Sequence, residues 1–149
     1  MYQLKSIKLN VINRKAARVV MLLFVLFSVS SIAIAQNSTV KEVKESCVKA
    51  LKNNDIDAFV KTFSDPIEIA LPDEENSYSK TQASMVIRKF LQKNKLQSFN
   101  VKQTGKSTGG AEFIIGEMIT TTGVKYQVYM LITLIDSKAY LHLIEFELI

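Results

Sequence analysis

The sequence predicts an α+β domain in which three helices from its first half cover an antiparallel sheet of four long strands and one short strand. Three observations carry this. Residues 112–121, 124–135 and 139–148 are rich in β-branched and aromatic side chains and are separated by Thr122-Gly123 and Asp136-Ser137-Lys138, the punctuation of a three-stranded meander. Residues 79–93 repeat apolar side chains at helical spacing behind a polar cap. Residues 1–35 differ in composition from everything after them.

That first segment reads as an address. Lys5, Lys8, Arg14, Lys15 and Arg18 precede an uncharged apolar run, residues 19–29, and small residues follow up to Ala33-Ile34-Ala35. A basic start, an apolar run and an A-x-A site make a secretory signal peptide with cleavage expected before Gln36, so the chain is expected to be exported to the periplasm or beyond the cell. The alternative is an uncleaved membrane anchor, but residues 19–35 are at the lower edge of what spans a bilayer and include Ser28, Ser30 and Ser31, so cleavage is expected, with no stable membrane span after it. The whole chain has 19 basic and 14 acidic residues. Removing the five bases of the signal leaves 14 against 14 in residues 36–149, and the excess charge that would suggest nucleic acid belongs to the signal.

The remaining 114 residues suffice for one domain with a core of its own. The sole cysteine, Cys47, excludes an intrachain disulfide. Residues 39–53 should be a helix, because Thr39 and Glu42 form a capping box and Val40, Val43, Cys47, Ala50 and Leu51 make an apolar stripe. Asn54 can cap a short second helix carrying Ile56, Phe59, Val60 and Phe63, which Ser64-Asp65-Pro66 stops. Residues 67–71 read as the short strand and residues 72–76 as an exposed acidic turn. Ser79 and Gln82 cap the third helix, whose stripe is Ala83, Val86, Ile87, Phe90 and Leu91. Residues 97–104 are the first long strand, and a glycine-rich loop, 105–110, leads into the meander.

Side chains alternate along a strand. In the middle strand this puts Val124, Tyr126, Val128, Met130, Ile132 and Leu134 on the face toward the helices. In the last strand strict alternation groups Tyr140, His142, Ile144, Phe146 and Leu148 on one face, and Leu141 and Leu143 on the other.

Several segments match a known pattern: Leu51-Lys52-Asn53-Asn54-Asp55 entering the second helix, Tyr78-Ser79-Lys80-Thr81-Gln82-Ala83 opening the third, Ile115-Gly116 through Thr122-Gly123, and Tyr126-Gln127-Val128-Tyr129. On these residues the chain resembles the nuclear transport factor 2-like (cystatin-like) superfamily over residues 40–147, and more narrowly a family of small exported Bacteroidota proteins of unknown function. The resemblance implies a curved sheet and helices forming a cone with a pocket. The superfamily holds isomerases, dehydratases, subunits and plain binding modules, so fold does not choose among them.

In such a cone the pocket would be lined by Phe59, Phe63, Phe90, Tyr126, Val128, Met130 and His142 and would suit a small apolar ligand. The other face of the sheet, with Tyr129, Leu131, Ile135, Leu141 and Leu143, would be an apolar patch suited to a homodimer. An enzyme would need a carboxylate and proton donors converging in the cone, and Glu68, Tyr78 and His142 are the candidates. No metal-ligand spacing, dinucleotide fingerprint, phosphate loop or serine elbow occurs, so neither metal nor cofactor is expected. Charge is segregated: Asp65, Glu68, Asp73, Glu74 and Glu75 in one stretch, Arg88, Lys89, Lys93, Lys95, Lys102 and Lys106 in another. No aromatic residues interleave with the basic run as nucleic-acid binding would require. The expectation is a non-enzymatic ligand-binding or protein-interaction module of the bacterial envelope, with an isomerase or dehydratase using the cone as the alternative.

Overall fold

The computed structural model describes residues 39–107 and 109–149. The expected signal peptide lies outside the described residues. Helices α1 (Val40–Lys52), α2 (Ile56–Lys61) and α3 (Lys80–Lys93) interleave with strands β1 (Phe63–Leu71), β2 (Glu74–Tyr78), β3 (Leu96–Lys106), β4 (Glu112–Thr120), β5 (Lys125–Ile135) and β6 (Lys138–Leu148).

The capping chemistry expected for α1 and α3 is present. The Thr39 hydroxyl accepts from the Glu42 N–H while the Glu42 carboxylate accepts from the Thr39 N–H. Ser79 and Gln82 repeat the arrangement. Such reciprocal bonds satisfy amides that a helix start leaves unpaired, each cap contributing about 1 kcal/mol. α2 is capped one residue later than expected. Asp55 accepts from the Ala58 N–H at 2.9 Å, and Asn54 instead takes φ 53°, a left-handed conformation that asparagine tolerates.

The sheet has six strands in the order β2-β1-β6-β5-β4-β3, one more than expected. The extra strand is β2, drawn from the acidic stretch. Its sequence, Glu-Glu-Asn-Ser-Tyr, has exposed side chains up to a half-buried Tyr78, so no apolar alternation marks it. β1 starts four residues earlier than the expected short strand, and it runs parallel to β6 while every other pairing is antiparallel. Pro66 does not end β1, because it sits where the β1–β6 register shifts between Phe63 and Glu68 and no ladder hydrogen bond is required of it.

A second irregularity corrects the face assignment of the last strand. Across β5 and β6, Leu131 pairs with Leu143 but Ile132 pairs with Leu141, leaving His142 as an extra residue. A bulge of this kind shifts side-chain phase. Ala139 and Leu141 therefore point into the core before the bulge, and Ile144 and Phe146 after it.

The core lies between the helices and the inner sheet face. Phe59 and Phe63 meet edge-to-face at 5.1 Å, and Ile67, Ile69, Ile87, Ile114, Met118, Met130, Ile132 and Ile144 are fully buried around them. Cys47 belongs here too, with Sγ 3.4 Å from the Thr62 hydroxyl, and burial pushes its thiol up to about 11. Among the described residues no helix is long and apolar enough to cross a membrane.

Candidate functional site

Where the core ends, a cleft opens between α3, the β1–β2 turn and the far ends of β5 and β6. Its volume is about 720 Å³, within the range of small-molecule sites. Helical spacing builds one wall: Val86, Lys89, Phe90 and Lys93 are separated by three, one and three residues and so share a stripe. Leu71, Pro72, Asp73 and Glu74, at and beside the β1–β2 turn, contribute a second part of the lining. Tyr78 closes β2 opposite the buried Ile67, and Tyr126 opens β5 opposite Leu148, so the pairings place both tyrosines at the cleft.

The floor is held by a short chain of hydrogen bonds. The Tyr126 hydroxyl donates to Asn94 Oδ1 at 3.0 Å, and Asn94 Nδ2 donates to the Phe90 carbonyl at 3.1 Å. The Phe90 ring meets Tyr126 edge-to-face at 5.4 Å and Phe146 at 4.7 Å. These contacts fix an aromatic floor whose one buried hydroxyl is already bonded. Lys89 and Lys93 of α3 and Asp73 and Glu74 of the turn all line the cleft, and among the described residues none of the four enters an ion pair.

The residues named from the sequence separate into four places. Phe59, Phe63, Val128 and Met130 are core, essentially inaccessible, and fill the space the cone reading left open. Phe90, Tyr126 and Tyr78 line the cleft. Glu68 is exposed in β1, between Ser77 of β2 and Leu143 of β6. His142, the extra residue of the bulge, is half-buried and reaches Ser64 of β1 rather than joining Ile144 and Phe146 in the core. There the Ser64 hydroxyl donates to the Pro66 carbonyl at 2.6 Å and stands 3.2 Å from His142 Nδ1. With its single proton given to Pro66, Ser64 accepts from Nδ1–H, which ties the two irregular strand segments together. Tyr78 thus lines the cleft, and Glu68 and His142 do not.

Of the expected interface residues, Tyr129, Leu131 and Leu143 are half-buried on the outer face and Ile135 is 36 % exposed at its end. Leu141 is the exception, 0 % exposed in the core, for the reason of phase given above. Phe113 and Ile115 extend the outer patch, Phe113 stacking on Tyr129 with ring centres 6.0 Å apart. Period-two alternation along β4 is the signal that assigns both to this face.

The basic and acidic runs also resolve into separate tasks. Arg88 pairs with Asp57, Lys102 with Glu117 at 3.2 Å, and Lys106 lies 3.7 Å from Glu112. Glu112 is held chiefly by Lys44 at 2.7 Å, and that hydrogen bond lowers its carboxyl below the ordinary value. Lys80 donates to the carbonyls of Lys61 and Phe63, at the C-terminal end of α2 where a cation is favoured. Partial burial lowers its ammonium below the usual lysine range, opposed by the Asp65 carboxylate. Among the described residues no three His, Cys, Asp or Glu side chains gather as a metal site.

This architecture, a six-stranded sheet wrapped on its inner face by three helices with a cleft at one end, is that of a nuclear transport factor 2-like α+β protein. An NTF2-like protein of unknown function from Cytophaga hutchinsonii matches with a TM-score of 0.56 at 12 % identity, over 78 % of this chain and 95 % of that one. The family model described as a domain of unknown function, DUF4783, matches residues 44–147, and the chain belongs to that family. Two crystal structures of DUF4783 family proteins are similar to it. One from Bacteroides ovatus has a TM-score of 0.64 at 24 % identity, over 70 % of this chain and 93 % of that chain. Another from Bacteroides uniformis has a TM-score of 0.65 at 22 % identity, over 70 % and 95 %. No curated protein matches the chain.

Proposed function

We propose that the protein is a non-catalytic binding module whose ligand occupies the cleft between α3, the β1–β2 turn and the ends of β5 and β6. The observation carrying this reading is the contrast between a cone interior filled by Phe59, Phe63 and Met130 and an end cleft of about 720 Å³ floored by Phe90 and Tyr126. The alternative, an isomerase or dehydratase, requires acid and base in one cavity. Tyr78 faces the cleft, whereas His142 is spent on Ser64 and Glu68 is exposed among Ser77 and Leu143. The test is amide chemical-shift mapping with indole as a neutral aromatic probe. Shifts clustered at Tyr78, Phe90, Asn94 and Tyr126 are expected. Shifts confined to the outer sheet face, or none at millimolar indole, overturn the reading.

A second reading concerns the outer face, where Phe113, Ile115, Tyr129, Leu131 and Leu143 lie together across three paired strands. A contiguous half-exposed apolar patch favours an interface, and a second copy of the chain meeting it sheet to sheet is the proposed partner. Light scattering at micromolar concentration should give the mass of a dimer, and Leu143→Lys that of a monomer. A wild-type monomer at those concentrations removes this reading. Residues 1–35 are proposed to direct export to the envelope and to be cleaved there; an intact mass retaining them in the exported protein contradicts this.

A further inference from the structure

The cleft has an electrical polarity that its volume and aromatic floor do not require. Its α3 wall presents Lys89 and Lys93, and its turn wall presents Asp73 and Glu74. All four are exposed, and among the described residues none is neutralised by a salt bridge. The same lining includes the apolar and aromatic side chains of Val86, Phe90, Tyr78 and Tyr126. A neutral apolar ligand would use the floor and neither wall. An anion would be drawn to the lysines and repelled by the turn. The arrangement complements a ligand that is apolar in the middle, negative at one end and positive at the other.

Size narrows the class. The cleft encloses about 720 Å³, room for two or three residues of an extended peptide, which advances ~3.3–3.6 Å per residue.

Resting on the binding-module reading above, we propose that the cleft takes a di- or tripeptide with free termini and an aromatic side chain. The carboxylate end lies toward Lys89 and Lys93, the ammonium end toward Asp73 and Glu74, and the aromatic ring lies on Phe90 and Tyr126. The Tyr78 hydroxyl, which has no intramolecular hydrogen bond among the described residues, is placed to meet the peptide backbone.

Calorimetric titration with phenylalanyl-alanine, its N-acetyl derivative and its C-terminal amide tests this directly. The free dipeptide should bind, and either blocked form should bind at least three-fold more weakly. Acetylation should make no difference to the Asp73→Asn/Glu74→Gln protein, and amidation none to the Lys89→Gln/Lys93→Gln protein, because each pair of substitutions removes the charge that reads that terminus. All four positions are exposed, so both variants should keep the wild-type circular dichroism and melting temperature. Equal affinity for the three ligands overturns the charge reading while leaving the cleft as a binding site. Failure of all three to bind also overturns it, and failure of indole to shift the cleft amides would remove the binding-module reading with it.

Discussion

Phe59 and Phe90 carry the same side chain, and spacing alone assigns both to the core, yet they stand in different surroundings. Phe59 is fully enclosed beside Phe63, whereas Phe90 is half-exposed, with one side of its ring on Tyr126 and Phe146 and the other open to the cleft. Truncating an enclosed phenylalanine removes its transfer energy and leaves a cavity, so Phe59→Ala should cost about 3–5 kcal/mol of stability. Phe90→Ala opens onto solvent and should cost about half as much, ~1.5–2.5 kcal/mol. Urea unfolding of the two variants checks the order; equal losses would mean that Phe90 is as enclosed as Phe59. The helical stripe of α3 was legible in the sequence because it follows from the 3.6-residue period. Which member of the stripe borders a cleft was not legible, since that depends on where Tyr78 and Tyr126 end their strands.

At the scale of elements, strands with clean alternation were readable and strands with irregularities were not. β4 and β5 match their sequence boundaries within a residue or so because Ile114, Met118, Val128 and Met130 alternate with partly exposed neighbours. β6 has equally good composition, but the extra residue at His142 reverses its phase midway, and no local propensity announces that reversal. β3 outruns its expected end at Thr104 because Gly105 belongs to the strand rather than the loop. The Phe113 ring lies over Gly105, and the Phe99 ring lies over Gly116 in the adjacent strand. An aromatic ring laid over a strand glycine supplies the packing the glycine lacks. A Cβ built on Gly116 would come within 2.4 Å of the Phe99 ring and 3.2 Å of the Asn100 carbonyl oxygen. Gly116→Ala should therefore displace Phe99 from the core and cost about 1–3 kcal/mol despite the better strand propensity of alanine. A gain in melting temperature would contradict this packing.

At the scale of the whole molecule, Glu112 at the start of β4 takes a lysine from α1 and another from β3, joining elements far apart in sequence. Its carboxyl is lowered in the folded protein, principally by the hydrogen bond from Lys44. A group whose folded value is depressed contributes stability above its unfolded value, and that contribution is lost as pH falls through the folded value. Glu112→Gln should therefore be less stable than wild type at pH 7, and the difference should shrink as pH falls below about 4.5, the ordinary carboxylate value. Denaturant midpoints for both proteins at pH 7 and pH 3 test this, and a gap that widens in acid would reverse the assignment. Fold class was readable because caps, stripes and alternation are local. The cleft is readable only in part: Phe90, Tyr126 and Tyr78 stand among the sequence candidates, but Asp73 and Glu74 join its lining through the unforeseen strand β2, which folds the acidic turn back on β1.

The central claim is that ligand enters this end cleft and not the filled interior or the outer sheet face. Phenylalanyl-alanine binding by Val86→Trp and Leu143→Lys measures it most directly. Val86 lines the cleft and a tryptophan there would occupy it, whereas Leu143 lies on the opposite face of the sheet. Binding should be at least ten-fold weaker for Val86→Trp and of wild-type affinity for Leu143→Lys. Wild-type affinity in a folded Val86→Trp protein, with binding lost in Leu143→Lys, would contradict it.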